Sequence, residues 1–369
     1  MRRLFVQEYL WAGATLAQLK DVYAINARRH SRYPSLVQLK YNQIDSPMGE
    51  RIVQECRGLI LDTANNWRVV AWPFDKFFNH GEGHAAPIDW STAEVQEKID
   101  GSLIIVYEYD GEWRIATSGT PDASGLVNNL AGLTFAELFR QALGAAGVGM
   151  PPPRSYESLT FMFELTSKYN RVVVQHADVG VTLIGVRDRK TGQEFSPRSF
   201  AESFPTVKSY PLQSFTDIQA TFAAMSPLQQ EGYVVVDADF HRVKVKHPGY
   251  VAIHHMKDGF GTRRMVELIR AGEASELLVY YPEWRPEFER VEGAYNDLLR
   301  QVGADYDRIK DIAGQKDFAL EAVQTRCSSV LFAIRNGSAK SAREFFAKMS
   351  IQNFVRLLGL HEVAVEATE

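Results

Sequence analysis

Short runs rich in Val, Ile, Phe and Tyr, cut by Gly, Asp, Asn and Pro, recur through the first 250 residues of the chain. This pattern predicts β-strands. The runs are Gly58 to Asp62, Arg68 to Trp72, Leu103 to Tyr107, Arg114 to Thr117, Phe161 to Leu165, Arg171 to Gln175, Val181 to Val186, Gly232 to Val236 and Arg242 to Lys246. A helix is predicted over Leu133 to Leu143. The loop from Gly144 to Pro153 follows, ending in three prolines that no helix or central strand accepts. After about Tyr250 the period changes. Phe288, Val291, Tyr295 and Leu298 recur at helical spacing, as do Ala342, Phe345, Phe346 and Met349, and long strand candidates disappear. The expected fold class is α+β over residues 1–250, then an all-helical domain over 251–369.

Alternation also orients side chains. If Phe161 and Phe163 face one side of their strand, Met162 and Glu164 face the other. In the run from Arg242, Lys244 and Lys246 share one face and the valines the other. Two ammonium groups projecting together need water or an anion, so a solvated face and a phosphate clamp both satisfy the pattern.

Composition narrows the class. The chain has 369 residues, 45% hydrophobic and 23% charged, as an ordinary globular protein does. Its formal net charge of -4 excludes a strongly basic nucleic-acid coat, so nucleic-acid binding would need cations focused in a groove. Cys56 and Cys327 lie far apart in sequence and form no disulfide framework, which suits a reducing cytosol. No apolar run approaches a membrane span, so no membrane association is expected. Met1 to Val6 begins like a signal peptide, but Gln7 and Glu8 interrupt it. A cytoplasmic location is expected, in the host if the chain is phage-encoded. No obligatory protein partner is evident.

The chemistry centres on Lys98-Ile99-Asp100-Gly101, a turn entering a strand. Nucleotidyltransferases present a nucleophilic lysine to an α-phosphate from such a turn. An amine attacks only when neutral, and a free lysine has a pKa of ~10.4, so burial or neighbouring cations must lower it. A surface hairpin with its lysine in water would carry the same four residues. Other charges punctuate the chain: Arg57 before a strand, Lys76 in Lys76-Phe77-Phe78-Asn79, Glu164 at a strand end, Glu231 before Gly232, and the Lys244 and Lys246 pair. Each alone fits a charged turn or a solvated edge.

Their order does not. Glu55-Cys56-Arg57-Gly58, Lys76-Phe77-Phe78-Asn79, Lys98-Ile99-Asp100-Gly101-Ser102-Leu103, Glu164 with Asn170-Arg171, Thr191-Gly192, Glu231-Gly232-Tyr233-Val234 and Lys244-Val245-Lys246 with Tyr250 resemble the covalent nucleotidyltransferase superfamily. Within it, the sequence is most similar to the bacteriophage RNA ligases that reseal tRNA broken in the anticodon loop. The resemblance runs from about Tyr41 into the helical tail. It implies a nucleotidyltransferase (ATP-grasp-like adenylyltransferase) domain of antiparallel sheets with helices, followed by an all-α C-terminal domain that selects RNA. It implies ATP with Mg²⁺ (or Mn²⁺), and RNA with 5′-phosphate and 3′-hydroxyl ends, nicked tRNA among the candidates. Lys98 would become the covalent lysyl-AMP. Glu164 would bind the ribose. Arg57, Lys76, Lys244 and Lys246 would contact the phosphates, Tyr41, Asp100 and Gly101 would complete the nucleotide site, and Tyr250 would serve ligation. Glu231 would lie near the reacting phosphate and its metal.

Three departures stand out. A lysine expected in the turn after the nucleophile's strand is absent from Thr117-Ser118-Gly119-Thr120. Leu183, Ile184 and Val186 are aliphatic where many relatives stack an aromatic on the base. In Gly272-Glu273-Ala274-Ser275-Glu276 a serine replaces one expected metal-binding carboxylate, leaving Glu276, which a surface carboxylate reading fits as well. Two alternatives remain open: another covalent nucleotidyltransferase (a DNA ligase or an RNA-capping guanylyltransferase), or a non-catalytic RNA-end-binding protein. The former usually continue into a small β-barrel, unlike this helical tail.

Overall fold

The computed structural model describes residues 3–127, 132–151, 156–170, 172–255 and 261–360. The chain divides into two compact units, one up to His254 and one from His255.

The first unit opens with α1 (Phe5–Trp11) and α2 (Leu16–Tyr23), then β1 (Ile25–Arg29), β2 (Leu36–Tyr41), α3 (Arg51–Glu55), β3 (Arg57–Asp62) and β4 (Arg68–Ala71). The four strands form one antiparallel sheet in that order. There follow β5 (Phe78–Asn79), β6 (Glu94–Lys98), β7 (Ser102–Tyr109), β8 (Glu112–Thr117), α4 (Phe135–Ala145), β9 (Leu159–Thr166), β10 (Gly180–Asp188) and β11 (Glu194–Phe195). The unit closes with β12 (Ser209–Tyr210), α5 (Phe215–Thr221), β13 (Gly232–Val236), β14 (Arg242–Lys246) and α6 (Pro248–His255), whose last residue falls beyond the boundary. The second sheet runs β11-β10-β9-β7-β8 and the third β12-β6-β13-β14-β5.

Period-two patterning explains the layers. On β7, Ile105 and Tyr107 pack with Leu36, Ile60 and Val70 of the first sheet. Their neighbours Ile104 and Val106 face the other way, joining Phe161 and Phe163 of β9 and Leu138 and Phe139 of α4. The second sheet is therefore covered on both faces. Burying one such side chain stabilises the fold by about 1.5–3 kcal/mol. The third sheet has a separate core of Val95, Tyr233, Val235, Val243 and Val245 with Ile218 of α5.

Two differences from the sequence pattern matter. The polar strand β6, Glu-Val-Gln-Glu-Lys, carries no strand signal, yet it lies inside the third sheet, with Lys98 opposite Gly232. Pairing by β13 and β12 overrides its composition. Conversely, the strand expected over Arg171 to Gln175 does not form. Arg171 lies outside the described residues, and residues 172–175 are irregular. The backbone N–H groups of Val173 and Val174 donate to the Asp100 carboxylate instead of to a ladder.

The second unit is helical: α7 (Thr262–Ala271), α8 (Ala274–Tyr280), α9 (Arg285–Ile309), α10 (Gln315–Ala322), α11 (Ser328–Arg335), α12 (Ala342–Lys348) and α13 (Ile351–Leu357). Phe288, Val291, Tyr295 and Leu298 form the buried stripe of α9. Among the described residues, no helix is long and apolar enough to cross a membrane.

Candidate active site

Lys98 is the last residue of β6 in the third sheet, and Ser102 is the first of β7 in the second. The Lys98-to-Gly101 turn therefore joins two sheets, and the cavity lies beside it. It measures about 250 Å³, and its lining includes Arg57, Lys98, Gly101, Glu164, Lys244 and Lys246. Four of these are cations that enter from three separate parts of the chain. Glycine is required at two points. A Cβ on Gly101 would collide with the Leu165 carbonyl oxygen. Gly232, opposite Lys98, has φ +142°, and a Cβ there would strike the Val245 carbonyl.

Lys98 Nζ lies 2.6 Å from Glu231 Oε2, and Lys246 Nζ lies 3.2 Å from Glu231 Oε1. Glu231 is only 3% exposed, so both pairs work in a weakly screened setting. Lys244 is different. Burial, then Lys76, Lys246, Lys98 and Arg57, push its ammonium well below the usual lysine range. Among the described residues, buried Arg57 Nη1 has no hydrogen-bond partner. The Arg57 guanidinium and the Lys244 ammonium instead lie 5.4 and 5.1 Å from the ring centre of Phe77. Crowded cations, one with an orphaned buried N–H, fit a polyanion such as a triphosphate.

Glu164 stands two residues before the end of β9, on the strand face opposite Phe161 and Phe163. Burial pushes its carboxyl up to about 8, Lys98 and Arg57 acting against the rise and Glu231 and Asp100 adding to it. A protonated carboxyl both donates and accepts, which suits a neighbouring pair of hydroxyls.

Lys76 and Tyr41 lie to one side of this cavity. Lys76 Nζ is 5.3 Å from the Tyr41 ring centre and 5.2 Å from that of Phe78, and Lys76 lines a neighbouring cavity of about 220 Å³ that shares Phe74, Phe77 and Arg242. Asp100 and Tyr250 do not line the central cavity. Asp100 is 5% exposed and Tyr250 2%. The Tyr250 hydroxyl donates to Asp100 Oδ1 at 2.9 Å, while Val173 and Val174 donate to Oδ2 at 2.9 and 2.7 Å. Both residues therefore brace the lysine turn from behind.

The departures resolve in part. Ile184, Val207 and Val234 supply aliphatic wall, whereas Leu183 and Val186 point into the core. A register shift between Leu183 and Gly185 separates Ile184 from them. The turn at Thr117 to Thr120 lacks a lysine, but Lys40 Nζ would sit 3.4 Å from a Cβ on Gly119. Arg242 also lines the cavity and was not singled out by the sequence pattern. Its signal was present, because Arg242, Lys244 and Lys246 occupy alternate positions of β14.

Among the described residues, no three His, Cys, Asp or Glu side chains are grouped to hold a metal ion. Glu231 is engaged with two lysines, and Glu276 lies on α8 of the second unit.

Comparison with known proteins adds lineage. The sequence profile of the RNA ligase family matches residues 55–250. An RNA ligase of Rhodothermus phage RM378 is 28% identical over 371 residues, covering 80% of this chain and 84% of that protein. A candidate bifunctional polynucleotide kinase/RNA ligase of Autographa californica nuclear polyhedrosis virus is 29% identical over 317 residues. That match covers 79% of this chain but only 44% of the viral protein. Among solved structures, an archaeal ATP-dependent RNA ligase overlaps 86% of this chain and 89% of its own, at a TM-score of 0.48 and 14% identity.

Proposed function

The chain belongs to the RNA ligase family, and on that premise we propose that it joins a 5′-phosphate and a 3′-hydroxyl RNA end through a lysyl-AMP on Lys98. The observation that carries this reading is the single cavity holding Lys98 among Arg57, Lys244 and Lys246, with one guanidinium N–H buried and unpartnered.

Three transfers make up the reaction. Neutral Lys98 Nζ attacks the α-phosphorus of ATP, forming a P–N bond as the bond to pyrophosphate breaks. The lysine proton passes to Glu231 Oε2 or to solvent. Charge grows on the departing pyrophosphate, and Arg57, Lys244 and Lys246 are placed to stabilise it. Next, a 5′-phosphate oxygen of RNA attacks the same phosphorus. The P–N bond breaks and the amine regains its proton. Finally, the 3′-hydroxyl of the other end attacks the activated 5′-phosphorus, and AMP leaves. Glu164 holds the ribose hydroxyls throughout. Glu231, the carboxylate beside Lys98, would help hold Mg²⁺ or Mn²⁺, which would supply further positive charge for the phosphates. The helical unit, which of the candidate site residues carries Glu276, would select the RNA, nicked tRNA being one candidate.

The test is direct. Incubated with α-labelled ATP and a divalent cation, the protein should carry label through a denaturing gel. Lys98→Ala should carry none, yet should still seal RNA already bearing a 5′-adenylate in part. Full labelling of Lys98→Ala would remove the assignment.

A further inference from the structure

We propose that His176 is a positioning residue for the nucleophilic turn, holding Lys98 in line by clamping the main chain of Asp100; this rests on the ligase reading above. His176 Nε2 lies 2.8 Å from the Asp100 carbonyl oxygen. A carbonyl only accepts, so Nε2 carries the hydrogen.

The turn needs such a clamp. Ile99 to Gly101 belong to neither sheet and cross from β6 to β7. The Asp100 carboxylate is tied by Tyr250 and by the Val173 and Val174 N–H groups. Those bonds fix the side chain but leave the following peptide plane free to rotate. The His176 bond fixes that plane. On the far side, Asn170 Nδ2 donates to Ser102 Oγ and to the Leu165 carbonyl, at 3.0 and 2.7 Å. Gly101 rests so closely on the Leu165 carbonyl that the turn has no slack there.

One stretch thus grips the turn at Asp100 and at Ser102 just beyond it, and its residues 172–175 form no strand. Their N–H groups at 173 and 174 are spent on Asp100 rather than on a sheet neighbour. Held by Glu231 at its ammonium and by this clamp two residues along the chain at Asp100, Lys98 has its reach toward the α-phosphorus preset. Small displacements of a nucleophile cost rate steeply. His176 is not among the residues lining this cavity, so its effect on Lys98 runs through Asp100.

Two variants of similar bulk separate hydrogen bonding from packing. His176→Gln keeps an N–H donor at the same reach, and His176→Met does not. Lysyl-AMP formation at saturating ATP should slow about tenfold in His176→Met. The ATP concentration giving half-maximal rate should stay within about twofold, and His176→Gln should recover most of the rate. In nucleotide-free protein, amide hydrogen exchange across residues 98–102 should quicken in His176→Met and not in His176→Gln. Unchanged exchange in His176→Met, or equal damage in both variants, overturns the clamp. If the parent protein takes up no label while exchange responds as stated, the ligase reading fails and the clamp stands.

Discussion

Glu231 Oε2 holds Lys98 Nζ at 2.6 Å, and the same carboxylate holds Lys246 at 3.2 Å through its other oxygen. One buried anion therefore neutralises two of the cations that face the cavity. The pairing has two consequences for a lysine nucleophile. It keeps the ammonium aimed in the absence of nucleotide, and it provides a base in contact with the proton that must leave. Removing one partner of a buried pair strands the other charge. Glu231→Gln should slow lysyl-AMP formation by about 100-fold, on the order of 3 kcal/mol. Single-turnover labelling measures this. A parental rate in Glu231→Gln would show that the carboxylate only balances charge.

Lys244 and Lys246 share a face of β14 and the cavity lining, whereas Lys190 lies in the exposed turn after β10. On the proposed reading, in which each makes a charge-assisted phosphate contact, Lys244→Ala and Lys246→Ala should each reduce labelling by ATP about 10–100-fold. Lys190→Ala should leave it unchanged. Arg57→Lys should also fail, since an ammonium cannot reproduce a two-pronged contact. Near-normal labelling in both β14 variants would mean that their ammonium groups serve no phosphate.

Glu164 offers a test through stability. Burial raises its carboxyl to about 8 in the folded protein, against 4.5 for its ordinary value. Between those values the folded state keeps a proton that the unfolded chain has released, so folding takes up a proton and stability falls as pH rises. Glu164→Gln removes the penalty. At pH 9 the nucleotide-free variant should melt on the order of 5 °C above the parent, after allowance for solvent screening, and at pH 4 the two should coincide. Labelling should nonetheless drop in the variant, because the ribose contact is altered. A Tm difference independent of pH would mean that the carboxyl is not held neutral.

Much of this was legible in the sequence, and for physical reasons. A strand such as Phe161 to Leu165, covered on both faces, needs a nearly continuous apolar run, so its pattern survives in any sequence that folds this way. The long stripe of α9 is legible on the same grounds, as is the change of period near Tyr250. The charged motifs could be read from their order along the chain, since each by itself fits a charged turn or a solvated edge. Tertiary structure decided the rest. The polar strand β6 forms because β12 and β13 close on it, and the expected strand at Arg171 to Gln175 gives way because Asp100 takes its N–H groups. Glu231 and Lys98 are 133 residues apart in sequence and touch only after the third sheet pairs. Local pattern records which face of an element is buried. It does not record which distant carboxylate meets which amine, because that depends on how the sheets pack.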